Sequence, residues 1–327
     1  MTLDILVPQY KETDEIIKPL LDSIAIQQNI NFDDIGVIIV NDGSDVFLTK
    51  KFLKSYPFKI KYIKNKHLGV SGTRQKALDS SKADYVMFCD ADDMFCNVCG
   101  IWTIFRAMKN SEFDTLVSTF LEQAKLNNSD DELIFITRPE DSTFVHGKVH
   151  KRLFLIQQNI RWNEKLTIHE DSYFNILCQR LADPKKIIYQ PVPFYLWRWR
   201  DESVCRHDPK YILKTYNNML ESNTALVNEF LRRNHYDDAQ YFSTLMVYDA
   251  YFTMNKDEWI NQENKEYRDA TEKRFAQYYK EFKKMVNKVP DNIKVEILAN
   301  LRQRFYQEGM LLETTTFDSW IKHIETL

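Results

Sequence analysis

Glycine is scarce in this chain: 7 among 327 residues. Each one therefore raises a question about local backbone geometry. Cysteine is also sparse, at an odd 5. Cys96-x-x-Cys99 has no second pair and no His at finger-like spacing, so the pattern fits neither a zinc site nor a disulfide framework, and reduced thiols are expected. No apolar run approaches the roughly 20 residues that span a bilayer. Met1–Val7 lacks the charged and apolar regions of a signal peptide. No repeat, low-complexity tract or Gly/Ser-rich linker occurs. Charge of one sign is missing too: 44 Lys+Arg face 47 Asp+Glu, a net −3, which argues against a global field for nucleic acid. These absences point to a cytoplasmic protein with one large domain and an appendage.

Strand and helix patterns alternate through the first 90 residues. Leu3–Val7 reads as a strand ended by Pro8, and Thr13–Gln27 as a helix with Ile16, Leu20, Leu21 and Ile24 on one face and Thr13 as its cap. Ile35–Val40 is a second strand, followed by the turn Asn41–Asp45 and a helix to about Ser55. Phe58–Ile63 is a third strand. A helix opens at Gly69-Val70-Ser71-Gly72-Thr73-Arg74, and Tyr85–Cys89 is a fourth strand. Such alternation predicts a parallel α/β sheet, with a ligand crevice outside the carboxyl ends of the strands. Pro8–Glu12, Asn41–Asp45 and Asp90–Asp93 should converge there. Further on, Val98–Asn110, Lys148–Gln158 and Glu170–Arg180 read as helices, and Asp114–Glu122 and Leu133–Thr137 as strands. Ile187–Tyr189 and Phe194–Trp199 look extended, with Pro191 and Pro193 between them. From about Pro209 long helices take over, at Tyr211–Asn234, Tyr241–Met254, Lys265–Val286 and Asn292–Gln307. This divides the chain into domains 1–208 and 209–327.

The fourth strand ends in Asp90-Ala91-Asp92-Asp93. Carboxylates this dense need a cation or a set of donors. Alternation along an extended chain puts Asp90 and Asp92 on one side, and hard oxygen ligands suit Mg²⁺ or Mn²⁺. Asp93 reads as a cap for the next helix. Arg74, in a first helical turn, can reach a phosphate or hold the carboxylates. Arg198 and Arg200, two apart on an extended segment, can face an anion together. Glu170 and Asp171 start a helix, where acidic residues are favoured by the dipole whatever their role. His146, His150 and His169 show no ligand spacing, and His207 reads first as a surface histidine and second as a residue completing the metal shell. Tyr195, Trp197 and Trp199 read as core or acceptor-floor aromatics. Lys280–Lys288 is a basic amphipathic stretch, read as a solvated helix face.

In order along about the first 205 residues, these stretches resemble the motifs of the family-2 glycosyltransferases, inverting enzymes of the GT-A fold. Val7-Pro8-Gln9-Tyr10-Lys11-Glu12 is similar to the family's opening V-P-x-Y-N-x-E. Val40-Asn41-Asp42-Gly43-Ser44 is similar to its V-N-D-G-S turn, although Asp45 follows one residue early. Gly69-x-x-Gly72-Thr73-Arg74 resembles its helix start, with Gln75 where Asn is commoner. Asp90-Ala91-Asp92-Asp93 fits its D-A-D-D motif, His169-Glu170-Asp171 its E-D motif, and Arg198-Trp199-Arg200-x-x-Ser203 its Y-R-x-R-x-x-S segment. Residues 209–327 match no pattern of the family.

The resemblance implies a GT-A nucleotide-diphospho-sugar transferase fold with a Rossmann-like mixed sheet and a helical C-terminal region. It implies a nucleotide-sugar donor, most commonly UDP-linked, and Mn²⁺ or Mg²⁺ held by Asp92 and Asp90. Pro8, Tyr10, Glu12, Asp42, Gly69, Arg74, Asp90, Ala91, Arg198 and Arg200 would line the donor site, with Tyr10 stacking on the base and Asp42 accepting from a pyrimidine N3–H. Asp171 would be the base that deprotonates the acceptor hydroxyl, with Glu170 beside it. The acceptor stays open among cell-surface glycans, other polymers and protein side chains. Nucleic acid is not indicated, with modified DNA kept among the acceptors, and the C-terminal helices are expected to support homo-oligomers or grip the acceptor. The rival readings are a nucleotidyltransferase on a related fold, which typically carries a Gly-rich basic loop that Pro8–Glu12 lacks, and a non-catalytic nucleotide-sugar-binding module.

Overall fold

The computed structural model describes residues 1–126, 132–139, 141, 143–200, 211–254, 265–287, 289–292 and 313–327. The chain divides into two compact units, Met1–Val204 and Cys205–Leu327. In the first, the strands β1 (Leu3–Gln9), β2 (Ile35–Asn41), β3 (Lys59–Lys64), β4 (Tyr85–Phe88), β5 (Met94–Phe95), β6 (Thr115–Lys125), β7 (Leu133–Arg138), β8 (Lys148–Lys151) and β9 (Ile187–Trp197) join in one sheet. Their order is β3-β2-β1-β4-β8-β6-β9-β5, with β7 against β6. The first four strands are parallel neighbours. Because β2 and β3 lie on one side of β1 and β4 on the other, the strand order reverses at β1, the place where such sheets open a ligand crevice.

Helices α1 (Asp14–Ala25), α2 (Lys50–Leu53), α3 (Gly69–Ser80), α4 (Gly100–Asn110), α5 (Arg152–Gln157) and α6 (Glu170–Leu181) connect the strands. In α1, Ile17, Leu20, Leu21 and Ile24 fall at i, i+3, i+4 and i+7 and are fully buried against Leu3, Ile5 and Val7 of β1. Each such side chain contributes about 1.5–3 kcal/mol by leaving water. Thr13 stands at the N-cap but makes no side-chain capping bond.

Three elements differ from the sequence expectation. β1 runs through Pro8 to Gln9. Leu6 faces β4, its carbonyl accepting from Cys89 N, while Gln9 faces β2, its carbonyl accepting from Asp42 N. Pro8 has the parity of Leu6, so its missing N–H falls on the β4 side, where that ladder has ended at Leu6↔Phe88. Lys148–Lys151 is a strand, not the start of a helix, and it lies antiparallel between β4 and β6. Burial of Lys148 and His150 hides its sheet character in the sequence, because neither looks like a core residue. The two extended stretches around Pro191 and Pro193 are one strand, β9, with an irregularity where Ser118 gives way to Phe120 in its partner.

The second unit contains α7 (Tyr211–Arg232), α8 (Tyr236–Met254), α9 (Lys265–Val286) and α10 (Glu313–Thr326). Leu226, Phe230, Phe242, Val247, Phe275, Phe282 and Ile324 are buried in it. The Phe230 and Phe242 rings stack at 5.6 Å and those of Phe275 and Trp320 at 5.3 Å. Within Lys280–Lys288, Phe282 and Val286 are buried while Lys280, Lys283 and Lys284 are exposed, the pattern of a solvated helix face. The readings of Ser203 and His207, and the helix expected over Asn292–Gln307 beyond residue 292, lie outside the described residues. No helix of the described residues is long and apolar enough to cross a membrane.

Candidate active site

Tyr10 and Asp42 follow directly on the paired ends of β1 and β2, Gln9↔Asn41. Gln9 ties this rim together, its Nε2 donating to the carbonyls of Glu12 at 2.9 Å and Val46 at 3.2 Å. Tyr10 is exposed, and its backbone N donates to Glu12 Oε2 at 2.7 Å. Asp42 is buried; its Oδ1 accepts from Leu68 N at 2.6 Å, and its Oδ2 lies 3.0 Å from His67 Nδ1. The His67 ring sits 5.2 Å from that of Tyr10. Each carboxylate oxygen carries a second lone pair, so Asp42 keeps acceptor capacity for a ligand. His67 was not singled out in the sequence; its only signal is its place two residues before Gly69. Gly69 opens α3 at φ +75°, beside Leu68, which Asp42 holds.

Asp90, Asp92 and Asp93 do not continue β4. They close a turn, with Asp93 N donating to Asp90 O at 3.2 Å, so strand alternation does not set their directions. Asp93 caps no helix, since α4 begins at Gly100. Its side chain is 1% exposed and pins the turn to β9. Tyr195 OH donates to Asp93 Oδ2 at 2.6 Å, and Arg198 N to Oδ1 at 2.9 Å. Burial, together with the Asp92 and Asp90 charges, pushes the Asp93 carboxyl well above the usual range. Ala91 buries its methyl in the core, which leaves ligand contact to its backbone.

Arg74 is the hinge of the site. It is buried, donating from Nη2 to Asp90 Oδ1 at 2.7 Å and from Nη1 to Glu170 Oε1 at 2.7 Å. Burial works against its charge, but Asp90, Glu170 and Asp171 outweigh this and keep it cationic. Burial likewise works against the Asp90 anion, and the Arg74 charge overcomes it, holding Asp90 below its ordinary value. Asp92 is raised by burial and by Asp90, against the pull of Arg200. Arg198 and Arg200 both reach Asp92: Arg198 Nη1 donates to its carbonyl at 3.1 Å, and Arg200 Nη1 to Oδ2 at 2.9 Å.

Asp90 and Asp92 are 30% and 31% exposed and give one oxygen each to an arginine. Their partial exposure leaves both open to a cation. Asp90, Asp93 and His146 also bring ligand atoms within 4.8 Å of one another. In that group each Asp93 oxygen accepts one hydrogen bond and keeps a second lone pair, while buried His146 stacks on Tyr195 at 5.1 Å with its Nδ1 unsatisfied 3.7 Å from Asp93 Oδ2.

Across Arg74 from this cluster, α6 begins after His169, whose φ of 59° is uncommon for a residue with a Cβ. Glu170 is buried against Arg74, and Asp171 is half-buried with Oδ1 accepting from Ser172 N at 2.8 Å. Burial and the Glu170 carboxylate push Asp171 up to about 7. A cavity of about 410 Å³ lies elsewhere, at the amino ends of β1–β3 between Asp4, Gly36, Lys59 and Lys82.

Residues 4–96 match the family model described as Glycosyl transferase family 2. That stretch is a family-2 glycosyltransferase domain. It holds the first three rims of the crevice, from Pro8 to Asp93. The minor teichoic acid biosynthesis protein GgaB of Bacillus subtilis is 27% identical over 161 residues, 45% of this chain and 18% of GgaB. The chain thus spans about a fifth of that relative's length. Among solved structures, S. aureus TarS 1-349 in complex with UDP-GlcNAc superposes with a TM-score of 0.64 at 16% identity, over 99% of this chain and 92% of TarS 1-349. The mannosyltransferase PcManGT of Pyrobaculum calidifontis, in complex with GDP-Man and Mn²⁺, superposes at 0.50 with 12% identity, over 82% of this chain and 83% of PcManGT. The chain therefore has the GT-A fold of these structures.

Proposed function

We propose that the protein transfers a sugar from a UDP-linked donor to a hydroxyl acceptor, with inversion at the anomeric carbon. The observation that carries this reading is buried Arg74, which joins a carboxylate cluster suited to a cation and diphosphate to the helix start that bears Asp171. In the reaction the acceptor hydroxyl loses its proton to Asp171, and its oxygen bonds to the anomeric carbon. The bond from that carbon to the diphosphate oxygen breaks, and UDP leaves with the electron pair. Asp171 near 7 suits a base working at neutral pH.

Asp90 and Asp92 would hold Mn²⁺ or Mg²⁺, which would neutralise charge growing on the departing diphosphate. Arg198 and Arg200, gathered at Asp92, are placed to bind the same anion. Tyr10 and Asp42, with His67 between them, form the base end of the donor site. The names of GgaB and of TarS with UDP-GlcNAc support a UDP-sugar donor and a polymer acceptor. The turn after β1 carries Tyr10 and Glu12 rather than a Gly-rich basic loop, which weighs against nucleotidyl transfer.

The test is release of UDP from UDP-GlcNAc, with and without chelator, across a panel of hydroxyl acceptors. UDP release that requires the cation and rises with one acceptor, giving a product of inverted anomeric configuration, is the expected result. Release of pyrophosphate would mean nucleotidyl transfer. Full turnover in excess chelator would remove the cation from the reading.

A further inference from the structure

Between Val46 and Leu78 the chain contains no Asp or Glu, yet residues 50–66 contain seven lysines. α2 and the residue after it supply Lys50, Lys51 and Lys54, β3 supplies Lys59, Lys61 and Lys64, and the following loop supplies Lys66. All seven are exposed, and none forms an ion pair among the described residues. In a chain of net charge −3 this is a concentrated basic strip, with Asp33 and Asp34 sharing a cavity rim with Lys59 and Lys61, and Asp14 bonded to Thr49 beside Lys50. Lysines on an edge strand also deter sheet-to-sheet pairing, and β3 ends the strand order. That role accounts for the three on β3 but not for those on α2 or in the loop.

The strip has a direction and a shape. Lys64 pairs in register with Asn41, and Lys66 precedes His67, whose ring lies 5.2 Å from that of Tyr10, so one end meets the donor rim of the crevice. The strip also wraps the sheet edge. Lys61 Nζ donates to Ser80 O at the end of α3, whereas Lys64 Nζ lies 3.8 Å from the centre of the Phe47 ring, before α2. A flat bilayer would meet one side of such an edge, and Phe47 is its one exposed large apolar residue. A flexible chain can follow both sides. Lys59 and Lys61, alternate residues on the strand, stand about 6.6 Å apart on one side of it.

We infer that this strip binds a linear polymer of repeated phosphate groups and feeds it toward the crevice. The inference deepens the glycosyl-transfer reading by giving the acceptor's class, and it rests on that reading only in calling the polymer the acceptor.

The experiment uses the full chain, with long-chain linear polyphosphate as probe and tripolyphosphate and phosphatidylcholine–phosphatidylglycerol vesicles as controls. Affinity is measured across a salt series. For seven lysine–phosphate contacts, log affinity should fall against log salt with a slope of about 5, taking ~0.7 per contact on a flexible strand. Replacing Lys50, Lys51, Lys54, Lys59 and Lys61 together with Gln should lower that slope to about 1.4. UDP affinity should be unchanged, which also reports that the variant folds. If it does not fold, replacing Lys50, Lys51 and Lys54 alone should lower the slope to about 2.8. A wild-type slope in these variants, tripolyphosphate binding as tightly as the long chain, or binding to vesicles but not to polyphosphate would each overturn the inference. Sugar transfer without polyphosphate binding would sink the strip and spare the glycosyl-transfer reading. Polymer binding with no transfer from any donor would do the reverse.

Discussion

At Asp171 the position of one proton decides whether the residue can act as a base. Burial and Glu170 push its carboxyl up to about 7, so below that pH the base form falls tenfold per unit. The acceptor-side kcat/KM should therefore rise with pH to about 7 and level off above it, read from a pH–rate profile at saturating donor. The same shift sets a stability sign. A carboxyl raised above its unfolded value near 3.9 favours the fold while protonated. That contribution is full below about pH 4 and is lost as pH rises through about 7. Asp171→Asn should lower turnover by about 10²–10⁴-fold while calorimetry shows unchanged UDP affinity. Wild-type transfer by this variant would leave Asp171 a helix-start carboxylate and make Glu170 the next candidate. Asp92→Ala should behave oppositely, losing donor affinity together with turnover, and retained binding of UDP with Mn²⁺ would count against its place at the cation. Arg74→Met leaves buried Glu170 and partly exposed Asp90 without their common partner. It should cost about 3–5 kcal/mol in a denaturant titration, and a loss under 1 kcal/mol would show that the two carboxylates are solvated some other way.

The elements show how much of this could be read in advance. The four parallel strands and α1, α3 and α6 were legible, because apolar runs and i, i+3, i+4 spacing report burial directly. Lys148 defeats that logic: it is a buried lysine on a buried strand, and its head donates to the Phe144 carbonyl. Nothing in Lys148-Val149-His150 advertises a place between β4 and β6. In the site, the residue types were legible and their partners were not. Arg74 could be read as facing a phosphate or the carboxylates, and only the fold brings Glu170, 96 positions away, to its other nitrogen. Asp93 looked like a cap because the sequence cannot show Tyr195 arriving from β9. Gly43 offers a test of how the rims are held. Its φ is +75°, and a Cβ there would lie 2.4 Å from His67 N. Gly43→Ala must therefore move the 66–68 segment that Asp42 grips. A loss of about 1–3 kcal/mol in urea is expected, with weaker UDP binding. Unchanged affinity for UDP would show that Asp42 and His67 do not depend on this close approach.

Across the whole molecule, chemistry and sequence pattern are unequally shared. Every stretch that resembles a donor or base motif and is described here lies in Met1–Val204, and that unit closes its own core around the sheet. The helices from Tyr211 onward bury their own aromatic and aliphatic side chains, including Phe230 against Phe242 and Phe275 against Trp320. Two separately packed cores predict that removing the second unit leaves the first able to fold. A chain ending at Val204 should then bind UDP with Mn²⁺ within about threefold of the full chain, a difference under 1 kcal/mol. The helical unit has no donor motif to lose, so its removal should fall on acceptor transfer or on assembly. Calorimetry with UDP, transfer to the acceptor that serves the full chain, and mass in solution separate the outcomes. A folded truncation with full acceptor kinetics and unchanged mass would leave the helices without the role assigned to them. One that folds but no longer binds UDP would place part of the donor site beyond Val204, which brings His207 back as a candidate.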